Sequence, residues 1–143
     1  VAESDQVPSP PPGFIASRTR GPYTTHNGPF FHKVDEAGFE HAFFALPRHC
    51  NGMGIVHGGM LTSFLDGLLA TAVHRATGSA SVTIHLSVDF LSMARAGEWV
   101  QGTGLVTRKT KDLAFCEASV RVGSRDLVRG SGVFKLMRKP IEL

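Results

Sequence analysis

Cysteine is nearly absent. Cys50 and Cys116 are the two in 143 residues, and they form no C-x-x-C pair. A reducing compartment, the cytoplasm, is therefore the simpler expectation. Long apolar runs are missing as well: none approaches the ~20 residues of a membrane span. The N-terminus shows no charged segment followed by a hydrophobic one, so neither an anchor nor a secretion signal is expected. The chain does not begin with methionine, and some preceding sequence is expected to be absent. The seven histidines include no H-E-x-x-H and no close pairing with carboxylates at ligand spacing, which argues against a metal site. No G-x-S-x-G occurs, which argues against a serine hydrolase. No dense basic run and no basic stripe interleaved with aromatics is present, which disfavours nucleic acid as a partner. No internal repeat is apparent.

What remains is an ordinary globular composition, 42% hydrophobic and 19% charged, with 16 glycines. The length suits one domain with its own core. Low charge combined with many glycines suggests surface hidden against another subunit. The net charge of +3 is uneven along the chain. From residue 101 onward lie nine basic residues (Arg108, Lys109, Lys111, Arg121, Arg125, Arg129, Lys135, Arg138, Lys139) and four acidic ones. Such an excess suits a phosphorylated small molecule or an acidic lipid better than nucleic acid. For most of these residues singly, a solvated strand surface is the plainer reading.

Residues 1–13, VAESDQVPSPPPG, hold half of the prolines and read as a flexible or extended arm, with a single domain over residues 14–143. Residues 14–28 read as irregular. A short strand begins near Pro29 to Lys33, and Phe39 to Leu46 is strand-like until Pro47 ends it. Strands follow over Ser79 to Leu91, Trp99 to Thr107, Ala114 to Val122 and Leu127 to Met137. In the first of these, Val82, Ile84, Leu86, Val88 and Phe90 alternate with Thr83, His85, Ser87 and Asp89. One helix among antiparallel strands implies an α+β fold.

That helix belongs to the stretch around which the chain is organised, HCNGMGIVHGGMLTSFLDGLLATAVHRA, from His49 to Ala76. Leu61, Phe64, Leu65, Leu68, Leu69, Ala72 and Val73 recur at helical spacing, and Gly78 follows as a terminator. Gly58 and Gly59 stand where the helix begins. The first amides of a helix lack internal partners and lie at the positive end of its dipole, so they can polarise a carbonyl oxygen or hold an anion. Asp66 interrupts the apolar run about two turns in. The outward face carries Thr62, Ser63, Asp66 and Ala70, all short, so a second chain can approach closely. Each candidate has a plainer reading too. Asn51 suits a turn former bonding its own backbone, His57 a cap, Asp66 a polar helix face, and Thr83 an ordinary strand threonine.

Taken together, Asn51, His57-Gly58-Gly59, Asp66, Thr83 and the strand ending Ser87-Val88-Asp89-Phe90-Leu91 resemble the signature of the hotdog-fold acyl-CoA thioesterases of the phenylacetate-degradation (PaaI) type, from about Pro29 to Leu136. The resemblance implies a long helix wrapped by a curved antiparallel sheet, and dimers that pair into tetramers. It places active sites at the dimer interface, with the helix Asp from one protomer and the Asn and HGG loop from the other. An acyl-CoA is the implied substrate, with no metal or organic cofactor. Gly58 N–H would stabilise the oxyanion, and Asn51 would donate a second hydrogen bond or orient substrate. Asp66 would serve as general base or as nucleophile. Thr83 would position water, and His57 would hold the loop or polarise the carbonyl. Gly59 and Phe90 are candidate substrate contacts, with Met60, Phe64 and Met93 as candidates to line the acyl pocket. Arg108, Lys109 and Lys111, or Arg138 and Lys139, are candidates for the CoA phosphates. Cys50, beside His49 and near His57, invites a thiol-nucleophile reading, but its setting suits an inert packing residue. A non-catalytic module that binds acyl-CoA or an acyl carrier is the alternative, and a dehydratase or isomerase a third possibility that lacks a second acid–base pair.

Overall fold

The protein is described from a computed structural model covering residues 6–18 and 21–137. Its elements run β1 (Ile15–Ala16), α1 (Pro22–Asn27), β2 (Phe31–Asp35), β3 (Gly38–Phe44), a 3-10 turn (Pro47–His49), α2 (Gly58–Thr77), β4 (Ser81–Phe90), β5 (Trp99–Lys109), β6 (Leu113–Val122) and β7 (Arg125–Leu136). The strands form one seven-stranded antiparallel sheet in the order β1-β2-β3-β5-β6-β7-β4. The segment holding α2 thus carries the chain from β3 to β4 at the far edge. This is the hotdog fold, α+β, with one long helix against a curved sheet.

Helix α2 owes its position to both its own pattern and that of the sheet. Met60, Leu61, Phe64, Leu65, Leu68, Leu69, Ala72 and Val73 are buried, as the helical spacing requires. Burying each leucine contributes about 1.5–3 kcal/mol. The strands opposite make room with glycine. A Cβ on Gly130 would come within 2.4 Å of Leu65 Cδ2, and one on Gly102 within 2.7 Å of Leu68 Cδ1. The leucines of α2 therefore press into hollows that no other residue type leaves open. Phe43, Val100, Val120, Val128 and Phe134 complete the core.

Two features depart from the sequence reading. Strict alternation along β4 would set Thr83 opposite Leu86, Val88 and Phe90. Instead the register slips: Thr83 pairs with Phe134 and His85 with Val133, leaving Ile84 as the extra residue of a bulge. Thr83 therefore faces α2 together with Leu86 and Val88, which pack on the core. The second departure is in residues 14–28, which contain β1 and α1. Phe14 and Phe31 are buried in a small second cluster with Ala42, against which Val7, Phe44 and Trp99 pack. Phe14 meets Trp99 edge-on at 5.1 Å between centroids. Residues 1–5 of the proline-rich arm lie outside the described residues.

Candidate active site

The loop that leads into α2 leaves very few backbone donors free. Asn51 N–H bonds Ile55 O at 2.8 Å, Gly54 N–H bonds Asn51 O at 3.0 Å, Val56 N–H bonds Ala94 O at 2.8 Å and His57 N–H bonds His49 O at 2.9 Å. The Asn51 side chain turns back on the same loop, its Oδ1 accepting Met53 N–H at 2.9 Å and Ile55 N–H at 3.4 Å. At the helix start His57 is the N-cap, with Nδ1 accepting Gly59 N–H at 2.8 Å. From His49 to Gly59, only the amides of Gly52 and Gly58 have no partner among the described residues. Gly58 N–H stands at the positive end of a 20-residue helix. The Phe90 ring lies beside it, since a Cβ on Gly58 would meet Cε1 and Cζ at 3.5 Å.

These bonds sort the residues singled out by sequence. Asn51 is a turn former through its oxygen, while its amide Nδ2 has no partner among the described residues and remains available as a donor. His57 is a cap, and because Nδ1 accepts, the ring proton sits on Nε2. Gly59 carries a committed amide, and a Cβ there would approach His57 Nδ1 to 2.9 Å.

Asp66 lies half-buried on α2, and Thr83 Oγ1 donates to its Oδ1 at 2.7 Å. The bulge in β4 creates this contact by turning Thr83 inward. The Asp66 side borders a cleft of about 500 Å³ between α2 and α1, whose walls include Tyr23, Phe30, His41, Met60 and Phe64. Tyr23 Oη lies 2.7 Å from Ser63 Oγ, whose own proton goes to Gly59 O. His41 is held neutral, its pKa lowered to about 4, first by burial and then by the charges of His32 and Arg75. Met60 and Phe64 thus line the cleft; Phe90 lies at the Gly58 end, and both Phe90 and Met93 are exposed.

The basic candidates sit elsewhere. Lys109 Nζ donates to Ala76 O at 3.1 Å, at the C-terminal end of α2, and Arg108 and Lys111 are exposed around the same β5–β6 turn. A 20-residue helix spans about 30 Å, so this turn and Gly58 occupy opposite ends of it. Arg138 and Lys139 lie outside the described residues. Both thiols are kept protonated: burial raises Cys50, and burial raises Cys116 to about 11. Neither is an activated nucleophile. No cluster of metal-ligating side chains occurs among the described residues.

Sequence reasoning passed over Tyr23, His41, Arg48 and the role of His49. None belongs to a periodic pattern or a spaced motif, and their places are set by tertiary contacts. The one sequence signal nearby is Pro47, which marks the turn that carries Arg48 and His49.

The arrangement matches known proteins. The pattern of the "Thioesterase superfamily" fits residues 53–129. "Putative esterase PA0474" of Pseudomonas aeruginosa is 34% identical over 129 residues, covering 88% of this chain and 96% of that protein. "Acyl-coenzyme A thioesterase 13" of Homo sapiens is 29% identical over 69 residues, 48% of this chain and 49% of that protein. Among solved structures, the BH2602 protein of Bacillus halodurans with CoA superposes with a TM-score of 0.69 at 22% identity, covering 76% of this chain and 74% of that one. The Escherichia coli PaaI protein from the phenylacetic acid degradation operon does so with 0.63 at 20% identity, covering 68% and 74%. At that identity the two structures attest the fold. With more than half its sequence fitting the family pattern and a relative aligned along nearly its whole length, the chain belongs to the thioesterase superfamily and, with it, to the thioester hydrolases.

Proposed function

We propose that the protein is an acyl-CoA thioesterase whose active site is completed by a second copy of the chain, with Asp66 as its reacting carboxylate. The observation that carries this reading is the Thr83–Asp66 hydrogen bond at the edge of the cleft. It fixes Oδ1 and leaves Oδ2 without a partner among the described residues, free to take a proton from water or to attack the thioester carbon. The first route is general-base catalysis and the second passes through a mixed anhydride. Gly58 N–H would hold the oxyanion, a role worth a few kcal/mol for one preorganised donor. Asn51 Nδ2 would add a second donor or orient the substrate. The leaving thiol is about as acidic as cysteine, so departure demands little help from a general acid.

Geometry supports the second copy. Gly58 and Asp66 lie on one helix eight residues apart, about 12 Å along its axis. They cannot both reach one carbonyl from the same chain. Two antiparallel α2 helices related by a dyad would put Gly58 of one protomer level with Asp66 of the other, and the axis would then pass beside residue 62. The outward side chains there are small: Gly59, Thr62 and Ser63. Strand β4 adds a second contact surface, because this ten-residue edge strand exposes Val82, Ile84 and Phe90. An open apolar edge of that length invites pairing with another strand. We accordingly expect a dimer, which would pair into a tetramer. The CoA of the Bacillus halodurans structure and the acyl-coenzyme A thioesterase relatives support CoA as the carrier. Arg108 and Lys111 remain candidates for its phosphates. The unpaired thiols suit a cytoplasmic setting.

The test is thiol release from acetyl-, hexanoyl-, palmitoyl- and benzoyl-CoA by the wild type and by Asp66→Asn. At least one thioester is expected to turn over, and the variant is expected to lose at least about 10³-fold while remaining folded. Mixing Asn51→Ala with Asp66→Ala protomers is expected to restore part of the activity. Binding without cleavage would favour the non-catalytic module, and equal activity of Asp66→Asn would remove Asp66 from the mechanism.

A further inference from the structure

His49 is the one polar side chain that is fully buried among the described residues, 3% exposed. Nothing in the chemistry above employs it. Both ring nitrogens are nevertheless committed: Nδ1 accepts Leu46 N–H at 3.0 Å, and Nε2 meets Asn27 O at 2.7 Å. Because Nδ1 accepts, the proton sits on Nε2 and is donated to Asn27. The ring stands edge-on to Phe43 at 5.3 Å. Its backbone takes part as well, since His49 N–H bonds Leu46 O at 2.8 Å and His49 O accepts His57 N–H at 2.9 Å. One residue therefore joins three segments: the C-terminal end of α1, the turn after β3, and the last residue before Gly58.

Its neighbour reinforces the first junction. Arg48 donates through Nη1 to His26 O at 2.7 Å and through Nη2 to Gly28 O. The Pro47–His49 turn thus grips the end of α1, and α1 forms a wall of the cleft, where Tyr23 reaches Ser63. From cleft wall to helix start the chain of contacts is continuous: α1, His49, His57, Gly58.

We propose that His49 is a positioning residue for the Gly58 amide, acting through its Nδ1 acceptor, which locks the Leu46–His49 turn that holds His57. The ring of bonds with Leu46 locks the turn so that His49 O aims at His57 N–H. That bond in turn fixes the residue whose carbonyl and imidazole set the first turn of α2, where Met60 N–H bonds His57 O at 2.9 Å. Burial lowers the His49 pKa, with Arg48 adding to the effect, against the raising influence of the bond to Asn27. The neutral ring keeps Nδ1 an acceptor. Protonation there would set two donors against each other.

The inference rests on the oxyanion role of Gly58, and the experiment separates the two. Steady-state kinetics are measured for His49→Leu, His49→Asn and His49→Gln, with Gly58→Pro alongside, on whichever of the four thioesters the wild type cleaves fastest and well below each melting temperature. Asn places an acceptor near the position of Nδ1; Gln places a donor near that of Nε2. His49→Leu is expected to lower kcat about 30-fold with KM within about threefold, and to speed hydrogen exchange at His57 N–H about tenfold. His49→Asn should recover kcat to within about fivefold of wild type, whereas His49→Gln should not. If His49→Leu does not fold, the Asn and Gln pair carries the test. A merely structural histidine would lower the melting temperature and leave kcat of the folded protein unchanged. That outcome, or equal kcat in Asn and Gln, overturns the proposal. Loss of turnover in Gly58→Pro with full kcat in His49→Leu defeats the positioning role alone, whereas full turnover in Gly58→Pro defeats the reading on which it rests.

Discussion

The two ends of α2 are finished in opposite ways. At the C-terminal end Gly78 adopts a left-handed conformation, φ 73°, and donates its N–H to His74 O. Thr77 Oγ1 bonds Val73 O, and Lys109 covers Ala76 O. Gly78 and Lys109 satisfy carbonyls that a helix end leaves unpaired, and a cation meets the negative end of the dipole. At the N-terminal end the cap is incomplete. His57 satisfies the amide of Gly59, but Gly58 N–H has no partner among the described residues. An end that serves only the fold can be sealed. One that serves a reaction must keep a donor free for a charge that develops only in the transition state.

Substitutions at the two ends should therefore separate turnover from stability. The largest effect is expected midway between Gly58 and Asp66. Thr62→Arg would thrust a long cation at the contact between two α2 helices, and it should yield monomers by size exclusion with turnover lost about 10³-fold. A dimer with full activity would show that the helices do not meet there. Next comes the open end itself. His57→Ala removes the cap, at about 1 kcal/mol of stability, and frees the Gly59 amide to compete with its neighbour, so kcat should fall about tenfold. Turnover as fast as wild type would reduce His57 to an ordinary cap. The smallest functional effect belongs to the sealed end. Gly78→Ala forces a Cβ into a left-handed backbone for about 1 kcal/mol, and the melting temperature should drop by a few degrees with kcat unchanged. A comparable loss of kcat there would erase the distinction between the ends.

The sequence revealed much of this helix and little of what surrounds it. Seven apolar positions at helical spacing and Gly78 define α2 because its burial follows from its own periodicity, and Met60 is the one further buried residue of the helix. The joint order of Asn51, His57-Gly58-Gly59, Asp66 and Thr83 singled out the candidate site, although each residue alone had an ordinary reading. What the sequence hid depends on contacts between segments. Thr83 reaches Asp66 only because Ile84 bulges out of β4, and a slip of one residue reverses which face a side chain occupies. Helix α1 is six residues with none buried, so no amphipathic pattern announces it. It is held by Arg48, His49 and Tyr23 rather than by its own propensity. The basic turn shows the opposite lesson: charge drew attention to Lys109, whose ammonium is engaged at the helix end.

The central claim is that the Gly58 amide hydrogen is the free donor on which turnover depends, and one pair of variants isolates it. Proline at the first position of a helix removes the N–H and little else, because that position suits its φ and has no intrahelical acceptor. His57, at φ −60° and ψ 136°, already has the extended backbone that a following proline requires. A Cβ at residue 58 meets Phe90 only at ordinary contact distance, so Gly58→Ala is the matched control that keeps the hydrogen. Measured by thiol release, Gly58→Pro should lose about 10²–10³-fold in kcat with its melting temperature within a few degrees of wild type, while Gly58→Ala stays within a few-fold of it. A folded Gly58→Pro enzyme that turns over as fast as Gly58→Ala would contradict the account.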